Sequence, residues 1–263
     1  MSVINKFLGF FSGVLQNEDS YGRSRRFIPS VLHKIHLYLE HPKNQKMIEI
    51  ELVNISTSGL AFIKEKAIDK IPFEVGLKVK GELNIDGETL PLDLEIRHQT
   101  YGNVGCKIVN DTPEFIRTLE NFFMHEIMAH ATHLKSSLGD EVFHEFDKKY
   151  HLTSDQNHCQ LIFEVGKDGI LNFMKLDILG NIIHLNQSGD LIYGFSFDER
   201  ENEQGVTIPD ITVQVENLPV DMLNHALRFL EAAPSLPIQT KDLLISHLLQ
   251  AIRQDQKSKK QAA

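Results

Sequence analysis

The sequence contains no tryptophan, only two cysteines and no long apolar run. Two cysteines, Cys106 and Cys159, are too few for a disulfide framework, so we expect two reduced, buried thiols. Because no stretch of 18 apolar residues occurs, we expect no transmembrane helix. The first 16 residues contain one lysine and a broken apolar run, which is not typical of a signal peptide. These absences predict a cytoplasmic protein.

Positive charge is also scarce. The chain has 27 Lys and Arg against 36 Asp and Glu, which gives a formal net charge of −9. A broad basic surface that would hold DNA or RNA is therefore not expected. Hydrophobic residues make up 41% of the sequence, which is enough for a packed core and argues against wholesale disorder. A local cluster of arginines stands out against this acidic background.

Catalytic and metal-binding motifs are missing as well. The sequence has no phosphate-binding loop, dinucleotide fingerprint or nucleophile elbow. The closest approach to a metal motif is the pair His125 and His130, but a spacing of five residues rotates one imidazole by about 140° from the other. His130 and His133 share a face, yet no third ligand is indicated. We therefore predict no enzyme and no metal site, with these histidines on the solvated surface of a helix.

The N-terminal residues 1–20 show helical periodicity followed by a polar linker. The apolar positions lie on one stripe: Val3, Ile4, Phe7, Leu8, Phe11, Val14 and Leu15. We expect this amphipathic helix to dock on its own domain or on a second subunit. A membrane-surface helix is the alternative, although Lys6 is the one cation on its polar face.

From residue 31 to residue 110 the periodicity changes to two, which is typical of half-buried strands. Six or so strands separated by short turns predict a small antiparallel barrel. A long helix should follow from Thr112 to Leu138, with Thr112 as its cap and Gly139 at its end. Because this helix is longer than a small barrel, it is a second candidate for contacts in a homo-oligomer.

Residues 139–263 predict a second, smaller α+β domain of unknown type, so that the fold class is α+β and the first domain spans residues 21–138. A short helix is expected at Glu141–Tyr150, followed by a meander of strands. Two helices, Val220–Ala233 and Thr240–Gln254, should end the domain.

Two short motifs precede and interrupt the strands of the first domain. Three arginines occur within residues 23–26, directly before the first strand. Asn54, Ser56 and Gly59 form the pattern Asn-x-Ser-x-x-Gly at the end of a later strand. Taken singly, the first is a solvated charge cluster and the second is an ordinary turn with Gly59 at positive φ.

Together, in this order, the motifs resemble those of the PilZ domain, and Gly105-Cys106-Lys107-Ile108 resembles a late strand of its barrel. The resemblance implies a six-stranded barrel with a following helix that binds cyclic di-GMP. Arginine has a planar fork for phosphate and guanine, and Asn or Ser adds hydrogen bonds. The implied ligand-binding residues are Arg23, Arg25, Arg26, Asn54, Ser56 and Gly59, with Arg25 or Arg26 in the role of the first family arginine.

The family spacing Arg-x-x-x-Arg is not present. The residues four positions after the three arginines are Phe27, Pro29 and Ser30, and Ser30→Arg would complete the spacing. Two hypotheses follow. The chain is either a non-catalytic cyclic di-GMP sensor that relays the signal to a protein partner in motility, pilus or biofilm control, or a degenerate PilZ adaptor. The adaptor would not bind nucleotide and would act by protein contacts, as in type IV pilus assembly.

Overall fold

The structure is a computed structural model, and it divides into two compact units, residues 1–124 and residues 125–263. It describes residues 26–30, 32–41, 44–64, 73–134, 148–154, 159–186, 188–195, 213–215 and 219–262. The predicted N-terminal helix and linker of residues 1–20 lie outside these ranges, so that prediction is not tested. Within the described ranges, no helix is long and apolar enough to cross a membrane.

The described part of the first unit is built on a strongly curled antiparallel sheet. Its spatial order is β2-β1-β5-β6-β7-β4-β3, so β2 and β3 lie at opposite edges, yet one residue, Glu51, separates them in the chain. The sheet must therefore curl until its two edges meet. The seven strands are β1 (Ile35–Glu40), β2 (Met47–Ile50), β3 (Leu52–Ile55), β4 (Gly59–Ile63), β5 (Lys78–Ile85), β6 (Glu88–Gln99) and β7 (Asn103–Ile108).

The predicted six-stranded barrel is wrong in its strand count. The chain of residues 47–55 pairs first with β1 and then with β4, and it is divided at Glu51, where the backbone carbonyl accepts a hydrogen bond from Ile63. The alternating pattern nevertheless predicts the interior correctly. The buried residues of the sheet include Leu37, Leu39, Ile50, Ile55, Leu60, Phe62, Leu83, Leu92, Leu94, Ile96 and Val104.

The predicted continuous helix from Thr112 to Leu138 is also wrong. Helix α1 spans Pro113–Phe122, with the Thr112 hydroxyl accepting from the Phe115 amide at 3.2 Å. The chain leaves helical geometry at Phe123, where ψ is 16°, and resumes as the short helix α2, Met124–His130. Thr132 then donates its hydroxyl to the Ala129 carbonyl and begins a strand, because a β-branched residue favours extended backbone and finds a partner in Ser154.

The described part of the second unit contains a seven-stranded antiparallel meander. Its strands lie in sequence order: β8 (Thr132–Leu134), β9 (Lys148–Ser154), β10 (Cys159–Val165), β11 (Leu171–Ile178), β12 (Asn181–Leu185), β13 (Leu191–Phe195) and β14 (Val213–Gln214). Two helices follow, α3 (Val220–Ala232) and α4 (Ile238–Ala262). The helix expected at Glu141–Tyr150 is wrong over residues 148–150, which pair with β10, while residues 141–147 lie outside the described ranges.

Candidate functional site

The turn between β3 and β4 is held together by Ser56. Its amide donates to the Gly59 carbonyl at 2.7 Å, and its hydroxyl donates to the same carbonyl at 3.0 Å. The hydroxyl also accepts from the Gly59 amide at 3.1 Å. Ser56 is 3% exposed, so its side chain is used inside the turn and fixes the shape of the hairpin.

Gly59 is needed for close packing rather than for an unusual φ. The expectation of a positive φ is wrong, because Gly59 is not one of the described glycines in that region of backbone conformation. A Cβ at this position would lie 2.6 Å from the Cys106 carbonyl oxygen of β7. That oxygen belongs to the backbone and cannot turn aside, so glycine allows β4 to approach β7 directly behind the motif.

Asn54 presents an unsatisfied hydrogen-bond acceptor. The register of β3 against β4 shifts between Leu52 and Asn54, so a β-bulge immediately precedes Asn54. Such bulges are common beside active sites, because they redirect a side chain. Its Oδ1 atom is buried and has no hydrogen-bond partner in the described part of the chain. Leaving such an atom unpaired costs about 1–3 kcal/mol. The residue is therefore a candidate for contact with a ligand that brings an N–H donor.

An isolated bridge places Arg26 opposite Ser56 and diagonally across from Asn54. Phe27 and Ile55 exchange two backbone hydrogen bonds of 2.8 and 2.9 Å. Phe27 is 5% and Ile55 0% exposed, so both project into the core. Side chains alternate along extended chains, so Arg26, which is exposed, projects from the same face as Asn54. Arg23 and Arg25 lie outside the described residues.

The segment that follows Arg26 is fixed at two points that the sequence pattern did not indicate. The Phe27 ring stacks on the Phe123 ring with centroids 4.5 Å apart and planes 9° from parallel. Farther along, the Ser30 amide donates to Nδ1 of His33 at 2.9 Å, and the Ser30 hydroxyl lies 3.1 Å from the same nitrogen. The periodicity of the sequence reveals neither contact.

Comparison with known proteins identifies this unit. The family model of the PilZ domain matches residues 22–125, a range that contains the bridge, the hairpin and α1. Residues 22–125 form a PilZ domain. A comparison with curated proteins found no match to the chain.

Solved structures with weak overall likeness include PilZ proteins. The chain is 14% identical to the PilZ domain with c-di-GMP of YcgR from Escherichia coli, covering 38% of this chain and 87% of that one with a TM-score of 0.32. For the Borreliella burgdorferi PlzA protein in complex with c-di-GMP, the identity is 12%, the coverage 71% and 83%, and the TM-score 0.30.

Reactive-thiol chemistry is not supported in the PilZ domain or in the second unit. Cys106 and Cys159 are free and buried, as expected from the sequence. Burial raises the pKa of Cys106 to about 12 and that of Cys159 to about 11, so neither forms the thiolate that a nucleophile needs at neutral pH.

The histidines of α2 do not form a metal site among the described residues, where no cluster of three metal-ligating side chains occurs. His130 is exposed, as the sequence predicts, but the surface position expected for His125 is wrong. His125 is buried, and its ring stacks on the ring of His225 with centroids 3.7 Å apart.

Proposed function

We propose that this chain is a cytoplasmic, non-catalytic PilZ signalling protein that binds cyclic di-GMP and relays the second-messenger level to a protein partner. The output would be motility, pilus or biofilm control. The functional division into residues 1–20, 21–138 and 139–263 is part of this proposal, with the last part transmitting the state. The proposed ligand-binding residues are Arg23, Arg25, Arg26, Asn54, Ser56 and Gly59.

The observation that carries the proposal is the unpaired Oδ1 of Asn54 on the same face as Arg26 within a PilZ domain. Guanine offers N–H donors to an amide oxygen and the O6 and N7 acceptors to a guanidinium fork. Arg26 can also pair with a phosphate through two parallel hydrogen bonds. One arginine and one amide on one face therefore match both charged and neutral groups of a cyclic dinucleotide.

The roles of Ser56 and Gly59 in this proposal are to hold the hairpin. Ser56 already uses its hydroxyl inside the turn, and Gly59 lets β4 lie against β7. Together they fix the backbone of the hairpin that carries Asn54. Such a preformed geometry lowers the ordering cost of binding.

Arg26→Ala and Asn54→Ala should each weaken binding of cyclic di-GMP by about 1–3 kcal/mol, or roughly 5- to 150-fold. Isothermal titration calorimetry measures both effects on the full chain. Arg117→Ala and Asn121→Ala are matched controls, because both residues are exposed on α1 and each repeats one of the chemical changes outside the motifs. The controls should bind as the parent does. Absence of heat at about 100 µM ligand for the parent itself would contradict the sensor.

A degenerate PilZ adaptor is the second candidate, and the arginine spacing favours it. The bridge places Arg26 next to the hairpin motif. With Arg26 as the second arginine of the family pair, instead of the first, its partner would stand four positions earlier, at Gly22. Glycine cannot contribute a cation there. The adaptor would keep the PilZ fold, bind no nucleotide and contact its partner directly.

Gly22→Arg should separate the two candidates by completing the spacing with Arg26. One additional charged contact is worth about 1.4 kcal/mol. If the parent binds cyclic di-GMP weakly, Gly22→Arg should therefore bind it about tenfold more tightly in titration calorimetry. Gly22→Ala is the control, because it removes the glycine without adding charge. Ser30→Arg completes a spacing in the other direction, but it would remove the contact between the Ser30 hydroxyl and His33. If neither the parent nor Gly22→Arg binds, the adaptor is supported.

A further inference from the structure

The segment that carries Arg26 is attached to the PilZ sheet at a single backbone position. Phe27 exchanges two hydrogen bonds with Ile55, and this bridge is isolated, so it is not part of a longer strand pairing. Both neighbours of Phe27 project into solvent, since Arg26 is exposed and Ile28 is 77% exposed. The position of Arg26 at the hairpin therefore depends on how firmly Phe27 is held.

Phe27 is held from the interior by an aromatic cluster, which consists of Phe27, His33, Phe122 and Phe123. The Phe27 ring stacks on the Phe123 ring, and Phe122 meets Phe123 edge-on, with centroids 4.9 Å apart and planes at 84°. The His33 ring lies 5.5 Å from Phe123 and 5.8 Å from Phe122. Stacked and edge-on rings at such distances attract each other beyond the effect of burial. The cluster therefore fixes the inner side of the arginine segment.

Phe123 also marks the end of α1. Its amide donates to the Leu119 carbonyl at 3.0 Å, and its ψ of 16° takes the chain out of helical geometry. The next residue, Met124, is the last of the first unit. One ring contact therefore joins the arginine segment to the residue at which the chain leaves the helix, one position before the first unit ends.

The stack and the ligand site are linked through a shared equilibrium. A ligand can use Arg26 only in molecules in which the bridge between Phe27 and Ile55 is formed, so the apparent affinity falls with the fraction of such molecules. Without the Phe123 ring, two backbone hydrogen bonds at an isolated position would have to hold the segment. Linkage is reciprocal, so a ligand that favours the bridged segment also favours the stack and the end of α1.

We propose that Phe123 is a positioning residue for the ligand site, an inference that rests on the proposed binding of cyclic di-GMP. Phe123 is 0% exposed and lies behind Phe27, so it does not contact the ligand itself. It holds Phe27 in its bridge and thereby keeps Arg26 opposite Ser56. Through the same stack, ligand binding at Arg26 stabilises the last turn of α1.

Phe123→Leu and Phe27→Leu should each weaken cyclic di-GMP binding about 3- to 10-fold in titration calorimetry, the range for loss of one aromatic pair. The double variant should bind no more weakly than either single variant, because both changes remove the same contact. Phe115→Leu is the matched control, since Phe115 is a buried phenylalanine near the start of α1, outside the aromatic cluster. It should bind as the parent does, even though its thermal melting temperature falls.

Hydrogen exchange provides a readout that a purely structural role would not change. In the parent, cyclic di-GMP should slow amide exchange at the end of α1, which includes the Phe123 amide. In Phe27→Leu, saturating ligand should leave exchange there unchanged, because the connection is lost. Circular dichroism verifies that each variant is folded, and Phe27→Leu alone carries the affinity test if Phe123→Leu does not fold.

Three results would overturn the positioning role while the proposed function survives. In the first, the parent binds and both leucine variants of the stack bind equally well. In the second, Phe115→Leu loses as much affinity as Phe123→Leu, which would mean that the stack acts only through the stability of the domain. In the third, the parent binds without any change of exchange at the end of α1. A parent that shows no binding at all overturns the proposed function, and the positioning role of Phe123 falls with it.

Discussion

Arg228→Ala should lower the free energy of unfolding of the second unit by about 3–5 kcal/mol. The guanidinium of Arg228 on α3 donates from Nε to Glu126 Oε1 at 2.6 Å and from Nη2 to Glu126 Oε2 at 2.8 Å. Both residues are 6% exposed. Removing the arginine leaves a carboxylate in a site with little water, and that penalty exceeds the loss of the pair itself. Urea denaturation followed by circular dichroism measures the change.

The control for this prediction is Arg253→Ala, because Arg253 is exposed on α4 and its loss should change stability by less than about 0.5 kcal/mol. A double variant, Glu126→Leu with Arg228→Leu, should recover much of the stability, since two apolar side chains replace the pair without leaving a buried charge. If Arg228→Ala unfolds at the same urea concentration as Arg253→Ala, the ion pair is not buried in solution.

The sequence could not reveal this ion pair, because its members are 102 positions apart. Glu126 lies in one predicted helix and Arg228 lies in a second predicted helix. As a charged residue, each is expected on the solvent-exposed face of its helix. Local periodicity predicts which face of a helix is apolar. It does not predict which charged residue a second helix will bury. The same limit explains His125, which the spacing to His130 places on a helix surface and which the structure buries against His225.

The strands of the PilZ domain were more accessible to sequence analysis. Alternation of apolar and polar residues depends on the pleat of the strand itself, so Leu37, Leu39 and Ile50 could be assigned to the interior directly. The division of one predicted strand at Glu51 could not, because it arises when the two halves of one stretch pair with different neighbours. The break at Phe123 is similar, since the Phe123 ring stacks on Phe27, which is distant in sequence.

The candidate site shows the same division between local and distant information. The motif Asn-x-Ser-x-x-Gly is local, and the structure places its three members on one hairpin. The position of Arg26 relative to Asn54 depends on the bridge between Phe27 and Ile55. Register is set by the whole sheet, so this relation is not visible in the spacing of residues.

Acidification should destabilise the second unit through His125. The ring is buried, its Nδ1 has no hydrogen-bond partner among the described residues, and it stacks on His225 at 3.7 Å. The pKa of His125 is lowered from 6.5 to about 3, mainly by burial and in smaller part by the neighbouring His225 and Arg228, while Glu126 opposes these effects. The folded chain therefore keeps His125 neutral at a pH at which the unfolded chain protonates it.

The sign of the effect follows from proton binding. Between pH 6.5 and about pH 3 the unfolded state binds one proton more than the folded state at this histidine, so stability falls as the pH falls through this window and is unaffected above it. Each unit of pKa difference corresponds to about 1.4 kcal/mol, so the loss at pH 5 is about 2 kcal/mol. Urea denaturation at pH 7.5 and at pH 5 measures this loss in the parent.

His125→Phe isolates the contribution of this one group from the titration of all others. Phenylalanine can stack on His225 but cannot bind a proton, so the variant should lose about 2 kcal/mol less than the parent between pH 7.5 and pH 5. His130→Gln is the matched control, because it removes one exposed imidazole from the same helix and leaves the buried His125 stacked on His225. Equal pH dependence in the parent and in His125→Phe would show that His125 is solvated and titrates normally in the folded chain.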